Sequence, residues 1–270
     1  MRTYTTYPDN FPASWASGWG EDQYGLWMTF NYKGVRHLFR WCEPGTFLMG
    51  SPEDEPERES WETGNETQHP VTLTRGFWIA ETPVTQALWE IFMGDNPSRF
   101  KGAEFPVDSV SWDDAQRFIN KLNGIKPELQ LCLPTEAQWE YACRARTTTP
   151  FYFGENITTD QVNYNGRNPY NDGRQGEYRR RTVEVKSLPP NAWGLYQMHG
   201  NVYEWCQDWY ATQYPSQPVT DPQGAVSGTL RVLRGGSWFN DGRYCRSARR
   251  NHAAPADRYS PIGFRLSLGL

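Results

Sequence analysis

Apolar positions recur at helical spacing in three stretches of the chain. From Val84 to Gly94, Leu88, Ile91 and Phe92 fall at i, i+3 and i+4, and Gly94 supplies a stop. From Trp112 to Asn123, Ala115, Phe118, Ile119 and Leu122 make one stripe, with Ser111 placed to cap and Asp114 three residues on. From Glu136 to about Arg144, Thr135 and Gln138 have capping-box spacing, and Trp139, Ala142 and Cys143 share a face. All three read as helices that pack on a core.

Elsewhere short apolar or aromatic pieces alternate with turn residues. Phe47 to Ser51 reads as a short strand ending in a turn. Arg181 to Val185, Val202 to Asp208, Leu230 to Arg234 and Gly263 to Leu268 read as further strands joined by long connections. Residues 1–40 read as an N-terminal lead whose Trp15, Trp19, Tyr24, Trp27 and Phe30 pack on a main body formed by residues 41–270. The acidic run from Pro52 to Glu66 reads as a solvated loop. Together these elements predict an α+β chain with little regular secondary structure and long loops. No internal repeat or low-complexity linker divides it.

Composition sharpens this picture. Only 37% of residues are hydrophobic, yet 15% are aromatic, so the core is built from few, large side chains. The 24 Gly and 20 Pro favour irregular backbone, where loops carry function. A net charge of -4 gives no global pull toward nucleic acid or an anionic membrane. A basic concentration lies near the end, in Arg243, Arg246, Arg249, Arg250, Arg258 and Arg265, and these read first as structural arginines paired with carboxylates and carbonyls. Met1 to Thr6 lacks an apolar leader core, and no stretch approaches about 18 apolar residues, so the expected location is cytoplasmic. Cys42, Cys132, Cys143, Cys206 and Cys245 are widely spaced without a C-x-x-C, which argues against a zinc ribbon or redox dithiol.

An ordered series of phrases is more specific. It runs Pro44–Ser51, Glu81–Thr85, Phe105–Val107 with Val110–Trp112, and Leu133–Glu140. It continues through Gly194–Tyr196, Gly200–Trp205, Arg234–Trp238 and Ile262–Arg265. From about residue 40 to 270 the chain resembles the formylglycine-generating enzyme (sulfatase-modifying factor) family, which implies a C-type-lectin-like fold. In the family's oxidases, two cysteines after Gly-Gly-Ser bind copper(I) and convert a substrate cysteine to formylglycine with oxygen. Here Cys245 stands at the second cysteine position and Asn240 at the first. An amide does not replace a soft thiolate, so no copper is expected. The four histidines lack the spacing of the iron site that an ergothioneine-type sulfoxide synthase needs.

The same fold carries the variable proteins of diversity-generating retroelements, whose C-terminal stretch is diversified at adenines of AAC codons, and this chain is similar to that pattern. Between its fixed phrases, within residues 235–265, stand Phe239, Asn240, Asp241, Arg243, Tyr244 and Arg249, then Asn251, His252, Ala253, Ala254, Tyr259, Ser260 and Pro261. Each residue type is reachable from AAC by changing adenines alone. Aromatics, Arg, His, Asn and Ser also suit adaptable recognition. The resemblance therefore predicts a non-catalytic protein that binds a protein or other macromolecule through this surface. The competing readings are a segment that closes the fold, a regulatory module of a larger assembly, and an oxidase or related modifier using Cys245. For Cys245 itself, a buried thiol stands against a nucleophile activated by Arg243 and Arg246. Resemblance also implies structural calcium at Gln197, Gly200, Val202 and Glu204, and a second site near Asn163 and Tyr164, for which neither Asp172 nor Glu177 stands out as the matching acid. The alternative for both is a self-bonded polar turn.

Overall fold

In a computed structural model, residue 4, residues 6–58 and residues 66–269 are described. In chain order, β1 (Gly18–Asp22), β2 (Gly25–Tyr32), β3 (Val35–Cys42), β4 (Gly45–Met49), β5 (His69–Leu73) and β6 (Phe77–Ala80) precede α1 (Gln86–Met93) and α2 (Trp112–Ile125). Next come β7 (Leu131–Cys132), α3 (Glu136–Arg144), β8 (Tyr203–Trp209), β9 (Val219–Thr220), β10 (Arg231–Arg234), β11 (Arg250–Ala253), β12 (Ile262–Gly263) and β13 (Ser267–Leu268). They form a six-stranded sheet ordered β1-β2-β3-β6-β13-β7, a four-stranded sheet ordered β11-β10-β8-β12, and a three-stranded sheet ordered β4-β5-β9.

All three expected helices form, and their ends follow from the residues that flank them. Thr85 caps α1 through Leu88 N, and Gly94 closes it in the left-handed region at φ 81°. Ser111 with Asp114, and Thr135 with Gln138, complete both capping boxes. The apolar faces of α1 and α2 meet the main sheet around Trp89, Phe118 and Phe264, where the Trp89 and Phe118 rings stack at 5.5 Å.

Four expectations need correction. Residues 18–42 do not form a lead laid on the body; they are three strands of the main sheet, and the boundary at residue 40 falls inside β3. Lys33 and Gly34 both have positive φ, as a two-residue hairpin of primed type requires. Phe30 is buried and Trp15 packs edge-on to Phe39, whereas Trp19 stays 53% exposed. Arg181–Val185 is not a strand, because the Asn201 side chain takes the place of a neighbouring strand: its Oδ1 accepts Val183 N at 2.9 Å and its Nδ2 donates to Val183 O. The expected strand Gly263–Leu268 is split. Its start pairs parallel to β8 and its end joins β6 and β7, with Arg265 crossing between the sheets.

The acidic run is the fourth case. Glu55 and Glu66 are buried, and Arg246 donates to Glu55 at 2.5 Å and to both oxygens of Glu66 at 2.7 and 2.9 Å. Ser51 Oγ also donates to Glu66. Residues 59–65 of the run lie outside the described residues. Charge density alone does not predict exposure when a buried guanidinium is waiting. Glu66→Ala is expected to destabilise the protein by about 3–5 kcal/mol, because it removes two of the carboxylate bonds to the buried Arg246 and leaves Glu55 as its remaining counter-charge. Arg258→Ala, which removes a half-exposed partner of Asp114, is expected to cost about 1 kcal/mol or less. Urea unfolding of the two variants measures both, and equal losses would refute the distinction.

Candidate binding site

Leaving β10, the chain turns at Gly235 and Gly236, both with positive φ. A Cβ on Gly236 would meet Cys245 Sγ and Tyr244 O at 2.8 Å, so the turn lies directly on the segment that follows. Ser237 Oγ donates to Asn240 Oδ1 at 2.6 Å. The Asn240 carbonyl accepts Asn165 N, and Asp241 Oδ1 accepts Asn168 Nδ2 at 2.8 Å. A 3-10 turn, Gly242–Cys245, then leads into the buried Arg246, Ser247 and Ala248. Asn240 and Asp241 thus hold the segment to the loop at 165–168.

Cys245 has no exposed surface and packs in a cluster with Phe151, Ile157, Val162, Tyr164 and Tyr170, none of which is a cysteine. Burial pushes its thiol well above the usual range, with Asp241 adding to the effect. Arg246, expected to activate it, is turned to Glu55 and Glu66. All five cysteines are free. His199 is buried nearby, but its two nitrogens are already committed. Tyr152 N donates to Nε2 at 3.1 Å and Nδ1 lies 2.7 Å from Cys245 O, which fixes the neutral Nδ1–H tautomer. Burial accordingly lowers its pKa to about 3. No thiolate–imidazolium pair arises here.

The expected calcium ligands do not fit a calcium ion at the first site. Both Glu204 oxygens are taken by Arg265, at 2.6 and 2.7 Å, and Oε2 also accepts Trp139 Nε1. Gln197 Oε1 accepts Asn201 Nδ2 and its amide donates to Glu184 O. Gly200 N–H donates to Gly235 O, and Val202 is buried. The one charge of the set is therefore already neutralised. At the second site, Asn163 Nδ2 donates to Arg181 O and Asn201 Oδ1, leaving its own Oδ1 unpaired. Tyr164 is buried in the Cys245 cluster, Asp172 is exposed, and Glu177 pairs with Arg179, so no carboxylate joins Asn163. Among the described residues, no group of three or more His, Cys, Asp or Glu is placed to hold a metal.

The structure divides the thirteen candidate contact residues. Phe239, Tyr259, Ser260 and Pro261 line an open cleft of about 580 Å³ together with Trp238. Phe239 and Tyr259 are 60% and 54% exposed. Arg243 and Tyr244 lie to the side, with Arg243 Nη2 donating to Tyr244 Oη and the Arg249 guanidinium over the same ring. Asn251 and His252 belong to β11, and His252 packs on Tyr210 at 4.2 Å. Ala253 is buried in the core, and Ala254 N is tied to Asp257. Arg99, Tyr178 and Arg180 make the other wall of the cleft, and the sequence reading missed all three. The run Tyr178-Arg179-Arg180-Arg181 was the available signal, a second basic concentration well before the C-terminal one.

The sulfatase-modifying factor enzyme 1-like domain matches residues 38–268. The chain belongs to this family. Mouse formylglycine-generating enzyme is 32% identical over 209 residues, which cover 73% of this chain and 52% of that protein. The Streptomyces coelicolor formylglycine-generating enzyme is 39% identical over 170 residues, 59% of this chain and 51% of that protein. The chain thus spans about half the length of these sulfatase-modifying relatives. Among solved structures, Treponema denticola variable protein 1 superposes with a TM-score of 0.76 at 28% identity, covering 90% of this chain and 98% of that one. PvdO from Pseudomonas aeruginosa gives a TM-score of 0.71 at 27% identity over 94% of this chain and 99% of that one. The fold is therefore the α+β, C-type-lectin-like fold of the formylglycine-generating-enzyme type.

The buried imidazole sets a pH dependence for this family member. The folded His199 ring stays neutral down to about pH 3, while its unfolded counterpart titrates near 6.5. The unfolded chain binds more protons between these values, so stability falls as pH drops from 6.5 toward 3. His37, also lowered to about 3 by burial, adds to the slope. His199→Gln is expected to reduce the slope by about one proton, roughly 1.4 kcal/mol per pH unit. Urea titrations between pH 4 and 6.5 measure it, and an unchanged slope would contradict the neutral-ring assignment.

Proposed function

We propose that this protein is a non-catalytic binder, a variable protein of the diversity-generating-retroelement type, that recognises a protein or other macromolecular partner through its C-terminal segment. One observation carries this reading: Phe239 and Tyr259, from positions reachable from AAC codons, stand exposed at an open cleft on a backbone anchored by buried ion pairs. Exposed aromatics at a concave site supply contact area at low entropic cost. The similarity to Treponema denticola variable protein 1 across 90% of the chain supports it.

The second reading, an oxidase or related modifying enzyme using Cys245, draws on the formylglycine-generating relatives. Against it stand the enclosed Cys245 thiol and the Asn240 amide already engaged by Ser237. Among the described residues no helix is long and apolar enough to cross a membrane, and a cytoplasmic location remains part of the proposal.

Sequencing the gene's neighbourhood tests the retroelement assignment: a reverse transcriptase and a near-identical template repeat are expected, with differences concentrated at adenines. Incubation with copper(I), oxygen and a Cys-x-Pro-x-Arg peptide separates the two readings. Mass spectrometry is expected to show no aldehyde product, whereas turnover abolished by Cys245→Ala would establish the enzyme instead.

A further inference from the structure

The arginines of this protein fall into two populations. Arg234, Arg246, Arg250 and Arg265 are buried on carboxylates. Around the cleft, Arg99 and Arg180 are exposed, and among the described residues neither guanidinium has a carboxylate within ion-pair distance. Their contacts are aromatic faces: Arg99 lies over Phe100 at 5.3 Å and Trp238 at 5.9 Å, and Arg180 over Tyr178 at 5.5 Å. Asp108 accepts the backbone N–H of Arg99, not its side chain. Arg167 stacks on Tyr178 and Arg181 on Phe100 and Phe105, so the basic rim extends past the cleft wall. The cleft lining contains no Asp or Glu.

A second, independent feature lies on the cleft floor. Trp238 is 95% buried, since 5% of its surface remains exposed, and its indole N–H has no acceptor. A buried donor without a partner is costly, so the Trp238 ring is held at the cleft by its packing and not by a hydrogen bond of its own. In a chain of net charge -4, two cations held over ring faces, with no carboxylate in ion-pair contact among the described residues, form a local positive field at the one surface read as variable, with Asp108 behind Arg99 as its nearest counter-charge.

We infer that the cleft binds an acidic segment of a protein partner, with carboxylates on the Arg99 and Arg180 guanidiniums and an apolar or aromatic side chain against Trp238, Phe239 and Tyr259. The guanidinium fork suits carboxylate, and a compact aromatic cleft suits one anchoring side chain. A nucleic-acid strand is disfavoured because the overall charge is negative and the cleft is compact, which suits one anchoring side chain better than a run of phosphates. Arg99 and Arg180 stand outside the diversified segment, so the acidic preference is a constant half of the site and the C-terminal residues are its replaceable half.

The inference rests on the binding reading, and one experiment separates the two. A random dodecapeptide display library is selected on the full chain, and the enriched peptides are titrated as fluorescein conjugates. Enrichment of Asp or Glu beside an aromatic is expected. Binding should weaken about tenfold or more in Arg99→Ser/Arg180→Ser, with a similar loss in Phe239→Ala/Tyr259→Ala, and affinity should fall with salt. Melting temperatures near that of the parent chain show that both exposed pairs leave the fold intact. Enriched peptides that are neutral or basic, and that need Phe239 and Tyr259 but not the arginines, would overturn the acidic preference alone. A selection that yields no peptide dependent on either pair would sink the binding reading too. Tight binding of oligothymidylate through the same arginines, without acidic peptides, would replace the peptide by a nucleic acid.

Discussion

The architecture depends on buried guanidinium–carboxylate pairs that join residues 234–265 to elements earlier in the chain. Arg234 reaches Glu140 on α3, Arg250 reaches Glu136 at the start of the same helix, Arg265 reaches Glu204 on β8, and Arg246 reaches Glu55 and Glu66. A buried pair contributes little net stability over a well-packed apolar replacement, since desolvation offsets the attraction. Its effect is on register: a bidentate fork satisfied by one carboxylate and several carbonyls admits few alternative placements. Arg234 donates to the carbonyls of Ser247, Ala248 and Arg249 as well as to Glu140, pinning the segment that leads into β11. The backbone between Gly235 and Pro261 is thereby held from beneath, and side chains on its outer face are left free of structural duty.

What could be read from the residues followed interaction range. Helices α1 to α3 were legible because their caps, stripes and stops lie within a few residues of one another. The hairpins of 18–42 carried a local signal too, Lys33-Gly34 between two alternating runs, but the density of aromatics there suggested loose packing on a body. Interactions between distant residues were illegible. Nothing near Glu66 announces Arg246, and nothing near Glu204 announces Arg265, so one carboxylate was assigned to solvent and the other to calcium. The same holds for the cleft. Its C-terminal half was marked by family phrases, while Arg99 and Tyr178–Arg180 come from loops that only folding brings alongside.

The surroundings of Cys245 are those of a packed side chain. Gly236 sits against the thiol, a buried aromatic cluster surrounds it, and His199 donates its only proton to the Cys245 carbonyl. Each contact serves packing. A reactive thiol needs exposure and a cation to stabilise its thiolate; the cation nearest in sequence, Arg246, is spent on Glu66. At the first cysteine position, Asn240 accepts Ser237 Oγ, a bond that closes the turn.

Those contacts also bound how far the surface can vary. A codon argument treats thirteen positions alike, but the structure does not. Asp241 receives Asn168, Ala253 is sealed into the core where β11 pairs with β10, and Arg249 is 8% exposed under Tyr244. Change at these positions meets the costs of buried volume and lost hydrogen bonds. Phe239 and Tyr259 are exposed and meet neither cost, and Arg243 gives up only an exposed bond to Tyr244, so exchange at these positions alters the surface without touching the fold. Tolerance to exchange within residues 239–261 is therefore uneven, and it is greatest where Phe239 and Tyr259 line the same cleft as Arg99 and Arg180.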